Sequence, residues 1–90
     1  MLDTMNVQNK LNDLVELMKL QMETGISFCG REYFFEPIFG DDPFEVIGWM
    51  FSTDNGNWEK KIYSKDVKTV LGTKLHGVTL LENLDKMEFV

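Results

Sequence analysis

The segment STDNGNWE, Ser52 to Glu59, carries Asn55-Gly56 between two runs of alternating side chains. A two-residue type I′ turn needs positive φ at both central positions, and Asn-Gly supplies it readily. That turn fixes a register, with Thr53 opposite Trp58, Phe51 opposite Lys60 and Trp49 opposite Ile62. Ile47, Trp49, Phe51, Trp58 and Ile62 then share the face predicted to point inward, with the Lys60 stem along the rim. Val46, Gly48, Met50, Glu59, Lys61 and Tyr63 fall on the other face. A chain built around this hairpin places a sheet at its centre and covers one side of it.

A second hairpin is predicted upstream, in ISFCGREYFFEP. Gly30 at the first central position of a type II′ turn pairs Phe28 with Tyr33 and Ile26 with Phe35, and all four share one face. Pro37 has no N–H for a ladder and is expected to end its strand. FGDDP, from Phe39 to Pro43, is expected to be a loop.

The N-terminal segment has a different period. Val7, Leu11, Leu14, Val15, Met18 and Met22 recur at helical spacing, and Leu17 widens the stripe. Asn6 is the predicted N-cap and Gly25 the C-terminal cap. Lys10, Asp13, Glu16 and Lys19 occupy the side predicted to face water. Downstream, Ser64 is the predicted cap of a short helix through Val67, Val70 and Leu71, ended by Gly72. Thr79 and Glu82 match a capping box, opening a helix whose Leu80, Leu81, Leu84 and Met87 face inward.

The order α-β-β-β-β-α-α predicts an α+β fold: an N-terminal helix, a four-stranded antiparallel sheet built from two hairpins, and two short C-terminal helices, the helices packed on one sheet face. No repeat, low-complexity tract or linker divides residues 1–90, which read as a single domain. At 43% hydrophobic and 27% charged residues, the composition is that of a folded chain. Seven of its rings fall between Glu32 and Phe51. Phe28, Tyr33, Phe35, Trp49, Phe51 and Trp58 all lie on inward faces, so the rings read as core rather than as a binding platform.

Charge narrows the functional classes. The net charge is −6, and between Glu32 and Asp54 there are six acids and no base. A nucleic-acid binder needs cations to displace condensed counterions, and an anionic membrane attracts basic surfaces, so direct contact with either is disfavoured. No apolar run reaches the length of a bilayer span, and Asp3 and Asn6 interrupt any leader-like stretch. Cys29 is the only cysteine, which fits a reducing, cytoplasmic setting, and reads as a small hydrophobe beside a turn.

No constellation for chemistry emerges. His76, the only histidine, lacks an orienting acid and a nucleophile for acid–base work and lacks cysteine neighbours for a metal site. Asp41, Asp42 and Glu45 do not follow a calcium-loop spacing. No metal, no cofactor and no catalytic residue is expected. What remains is a surplus of apolar residues: Phe34, Phe39, Phe44, Val46 and Met50. Either they lie exposed together and mark a partner site, or a helix covers them.

The stretches FCGREYFFEPI and GNWEKKIYSKDVKTVLGTKLHGVTLLENLDKM resemble small acidic proteins encoded in phages and prophages of Gram-positive bacteria. Gly30, Arg31, Tyr33 and Phe35 match the hairpin of that group, and Gly77, Thr79, Leu80 and Glu82 its entry into the last helix. The likeness spans residues 26–88, and the connection EPIFGDDPFEVIGWM departs from it. It implies a bacterial cytoplasmic setting and an α+β fold, and it lends no site residues. The expectation is a non-enzymatic protein–protein interaction module, a phage-encoded modulator of a host protein. It would act through an acidic and apolar surface formed by Glu36, Phe39, Asp41, Asp42, Phe44 and Glu45, with a basic host protein as the expected partner. The alternative is a self-assembling structural or accessory phage protein, a homodimer formed through helix 1.

Overall fold

A computed structural model describes residues 4–90 of the chain, with side chains from residue 7 onward. Asp3, weighed above against a leader peptide, lies outside the described residues. Helix α1 spans Thr4–Lys19, followed by strands β1 (Thr24–Phe28), β2 (Arg31–Phe39), β3 (Val46–Thr53) and β4 (Trp58–Ile62). Helix α2 (Val67–Leu71), the short strands β5 (Lys74–Leu75) and β6 (Val78–Thr79), a 3-10 segment at Leu81–Lys86 and strand β7 (Glu88–Phe89) complete the chain. The main sheet has five antiparallel strands in the order β4-β3-β2-β1-β7, and β5 and β6 form a separate two-stranded hairpin. The α+β class and the N-terminal helix are as expected. The four-stranded layout is not, because the last residues return to pair with β1.

The Asn55-Gly56 hairpin has its predicted register, from Thr53↔Trp58 to Trp49↔Ile62. Asn55 and Gly56 take φ of 54° and 83°, and the Asn57 N–H closes the turn on the Asp54 carbonyl at 3.0 Å. The first hairpin pairs differently. Its turn is Cys29-Gly30, with φ of 51° and 80°, so Phe28 faces Arg31 and Ile26 faces Tyr33. Cys29 accepts a left-handed conformation, giving the type I′ twist in place of type II′. The register moves by two residues, an even number, and every side chain keeps its face. Cys29 is exposed at the turn itself.

One face of the sheet carries the core. Ile26, Phe28, Tyr33, Phe35, Trp49 and Phe51 are buried there with Leu14 and Met18 of α1, Val70 and Leu71 of α2, and Leu75, Leu80, Leu84 and Met87. Phe35 stacks between Trp49 and Phe51, with centroids 4.7 and 4.6 Å away. All the helices cover this face. The opposite face keeps Phe34, Ile38, Met50 and Ser52 exposed or half-buried.

A bulge makes the largest departure from simple alternation. Ile38 pairs with Gly48 but Phe39 pairs with Val46, leaving Ile47 as the extra residue. Val46 is thereby turned into the core at 5% exposure, while Ile47 is pushed out to 38%. The expected places of the two are exchanged. Gly48 beside it is required, since a Cβ there would collide with the Ile62 carbonyl and approach Tyr63 Cα to 2.9 Å. Pro37 does not end β2, which continues to Phe39. Strand β1 pairs β2 only as far as Phe35, so the missing N–H of Pro37 deprives β1 of no ladder bond.

Helix boundaries also differ from expectation. Asn6 lies inside α1, and Gly25 lies in β1. The helix ends in a Schellman motif on Gln21 (φ 56°), with Met22 N–H to Leu17 O at 3.1 Å and Gln21 N–H to Met18 O at 3.2 Å. Met22, at 53% exposure, therefore leaves the apolar stripe. Lys10 takes a place in that stripe, one turn before Leu14. It is buried at 8%, with Nζ 3.5 Å from Glu88 Oε1 of β7. The cap of α2 is Asp66, which accepts from Thr69 N–H at 3.0 Å, and Ser64 supports it by accepting from Asp66 N–H. Thr79 does accept from Glu82 N–H at 3.2 Å, but the segment it opens is 3-10 and breaks at Asn83 (φ −126°). Asn83 Nδ2 donates to Thr79 O at 2.7 Å, a local bond that competes with a regular helix.

Candidate functional site

Strands β2 and β3 run past both neighbours. On one side β1 stops opposite Phe35, and on the other β4 stops opposite Trp49. The far end of the β2–β3 hairpin, from Ile38 to Ile47, is therefore unpaired with flanking strands.

Its six-residue loop, Gly40 to Glu45, is internally braced. Gly40 N–H donates to Glu45 O at 3.1 Å, and Glu45 N–H donates to Asp42 O at 3.1 Å. Phe44 N–H donates to Asp42 Oδ1 at 2.9 Å. Asp42-Pro43-Phe44-Glu45 is thus a four-residue turn that combines an Asx bond with a proline preset for position two. Phe44 sits at position three and is 83% exposed. Holding an aromatic side chain in water on a braced turn gains nothing for the core, which makes the tip a functional candidate.

The structure brings Asp41, Asp42, Phe44 and Glu45 together in this loop, all exposed, with Phe39 at its base at 44% exposure. Glu36 is not part of the tip. It lies three residues down β2, opposite Met50. There it borders a groove of about 510 Å³ shared with Gln21, Met22, Glu23, Pro37 and Phe39. Val46 is buried and leaves the surface set, and Ile47 takes its place. The glycine at position 48, inside a strand, was the one signal for that bulge.

A second cluster lies on the covered side of the sheet. Tyr33 OH and His76 Nδ1 are 2.7 Å apart, and the His76 ring lies over Trp58 with centroids 4.2 Å apart. His76 occupies the β5–β6 turn at φ 52°, beside Gly77 at 87°. Burial pushes the Tyr33 phenol up from its ordinary value of 10.0, opposed in part by the positive charge of Arg31. The histidine is engaged as a hydrogen-bonding and stacking partner. Among the described residues, no three His, Cys, Asp or Glu side chains converge as a metal-binding group. No described helix is long and apolar enough to cross a membrane.

The tip offers carboxylates and an aromatic ring with no base among them, a surface suited to contact with cationic and apolar groups together. The chain matches no protein-family model, no curated protein and no solved structure.

Proposed function

We propose that this chain is a non-enzymatic interaction module that docks on another protein through the β2–β3 tip. The observation that carries the reading is Phe44, 83% exposed on a hydrogen-bonded turn and flanked by Asp41, Asp42 and Glu45. Aromatic residues are enriched at protein–protein interfaces, whose rims are polar. The ring supplies apolar contact, and the carboxylates supply steering and selection against acidic partners. The resemblance to phage and prophage proteins supports a partner in a bacterial host cytoplasm, and the acidity of the tip favours a basic host protein.

Affinity capture from host lysate tests this with three baits: the natural chain, Phe44→Ala, and the triple reversal Asp41→Lys, Asp42→Lys, Glu45→Lys. A specific basic protein retained by the natural chain and lost with both variants is the expected result. Identical capture by all three baits overturns the reading.

The alternative is self-assembly of a structural or accessory phage protein through α1. Leu20 and Met22, 59% and 53% exposed at the end of that helix, favour it. Leu14 and Met18 are already buried in the chain's own core, which leaves a narrower contact than the sequence stripe implied. Light scattering over a concentration series separates the two, because self-assembly raises the apparent mass.

A further inference from the structure

The groove beside Glu36 exists because β2 outruns β1. Past Phe35 no strand covers that side of β2, and the turn after α1 forms the opposite wall. The Schellman motif fixes this wall, holding Gln21 in a left-handed conformation and tying Met22 N–H to Leu17 O. The apolar lining is Met22, Pro37 and Phe39, and the charged lining is Glu23 and Glu36. Met22 and Phe39 are 53% and 44% exposed, and the volume of about 510 Å³ lies within the range of small ligand sites.

Charge selects the occupant. Between residues 20 and 47 there are six acids, and the one base, Arg31, opens β2 at the end away from the groove. Lys19, the last residue of α1, is exposed and does not line it. The C-terminal end of α1 adds partial negative charge on the same side. A second copy of the chain, at −6, would bring like charge to this surface. We propose that the groove seats a bulky apolar side chain of a partner segment whose neighbours are lysine or arginine, with Glu23 and Glu36 receiving the cations. This rests on the reading of the chain as an interaction module and adds a second contact to it, joined to the tip through Phe39.

Three short synthetic peptides of equal length test the proposal: lysine–leucine, glutamate–leucine and lysine–serine. Each is titrated into the nitrogen-15-labelled chain while amide shifts are followed. The lysine–leucine peptide is expected to move the amides of Gln21 to Glu23 and Glu36 to Phe39. Its affinity is expected to fall by about tenfold or more in the Glu23→Lys, Glu36→Lys double variant and in Met22→Ser. Each variant counts only if its amide spectrum outside the groove is unchanged. Equal binding of all three peptides, no binding of the lysine–leucine peptide, or shifts confined to another surface overturns the groove. The lysate capture is read separately. If Phe44→Ala abolishes capture while the peptide leaves the groove unmoved, the interaction-module reading survives and this extension of it fails.

Discussion

The Tyr33 hydroxyl lies 2.7 Å from His76 Nδ1, tying the inner face of β2 to the turn between β5 and β6. The same histidine ring rests on Trp58, whose own ring meets Tyr33 edge-on with centroids 5.9 Å apart. Three residues from three separate elements are thus closed into one contact set at the margin of the core. Tyr33→Phe removes only the oxygen. It is expected to lower stability by about 1 kcal/mol, the net contribution of a neutral hydrogen bond. It should also remove a tyrosinate absorbance that appears above the ordinary value of 10.0 in an alkaline titration, since burial raises the Tyr33 value in the folded state. The sign follows from linkage. The phenol favours its neutral form more when folded, so this contribution is present below pH 10 and is lost as pH rises through the folded value.

The bulge at Ile47 is checked by a pair of neighbouring substitutions. Val46→Asp places a charge in the core and is expected to destabilise the chain by at least about 3 kcal/mol, enough to unfold much of a small domain. Ile47→Asp is expected to change stability by less than about 1 kcal/mol. Urea unfolding midpoints measure both. Strict alternation along β3 predicts the reverse order.

Gln21 holds a left-handed conformation that glycine adopts without steric cost. Gln21→Gly is expected to raise stability by roughly 0.5–1 kcal/mol, read as a higher thermal midpoint, provided the Schellman bonds persist. An unchanged or lower midpoint would show that the Gln21 side chain contributes more than its backbone costs.

Asp66 caps α2 through Thr69, and the Thr69 hydroxyl and N–H hold its carboxyl below the ordinary 3.8. A lowered folded value means that the contribution is present above pH 3.8 and is lost as pH falls through the folded value. Asp66→Asn keeps an acceptor oxygen but has no charge to lose. The gap in thermal midpoint between the natural chain and this variant is expected to narrow as pH falls below 3.8. A gap of constant size as pH falls from above 3.8 to below it contradicts the assignment.

Legibility in the sequence followed the range of the interaction. Asn55-Gly56 set its hairpin register because the turn is decided by two adjacent residues. The even-numbered slip at Cys29-Gly30 left Ile26, Phe28, Tyr33 and Phe35 inward, so the core was readable even where the pairing was not. Asp41, Asp42, Phe44 and Glu45 were legible as a loop set because Pro43 and the acids belong in a turn. Ile47 was missed because a bulge depends on how β2 and β3 fit together, with Gly48 as its only local trace. Strand β7 was missed for a similar reason. Glu88 and Phe89 carry no strand pattern of their own and are ordered by the edge of β1 and by Lys10. The groove beside Glu36 arises from the unequal lengths of β1 and β2, a relationship no single segment encodes.

The pairing of β7 with β1, and of Lys10 with Glu88, bears on how the chain is made. A ribosome releases α1 and β1 before the groups that finish their burial, which lie in the 3-10 segment and β7. Until Leu84, Met87 and Glu88 emerge, the nascent sheet keeps an open margin and a helix with half a seat. Long-range closure of this kind delays completion of the sheet until β7 is free of the ribosome, and during that interval the unfinished edge is the part most exposed to misassociation.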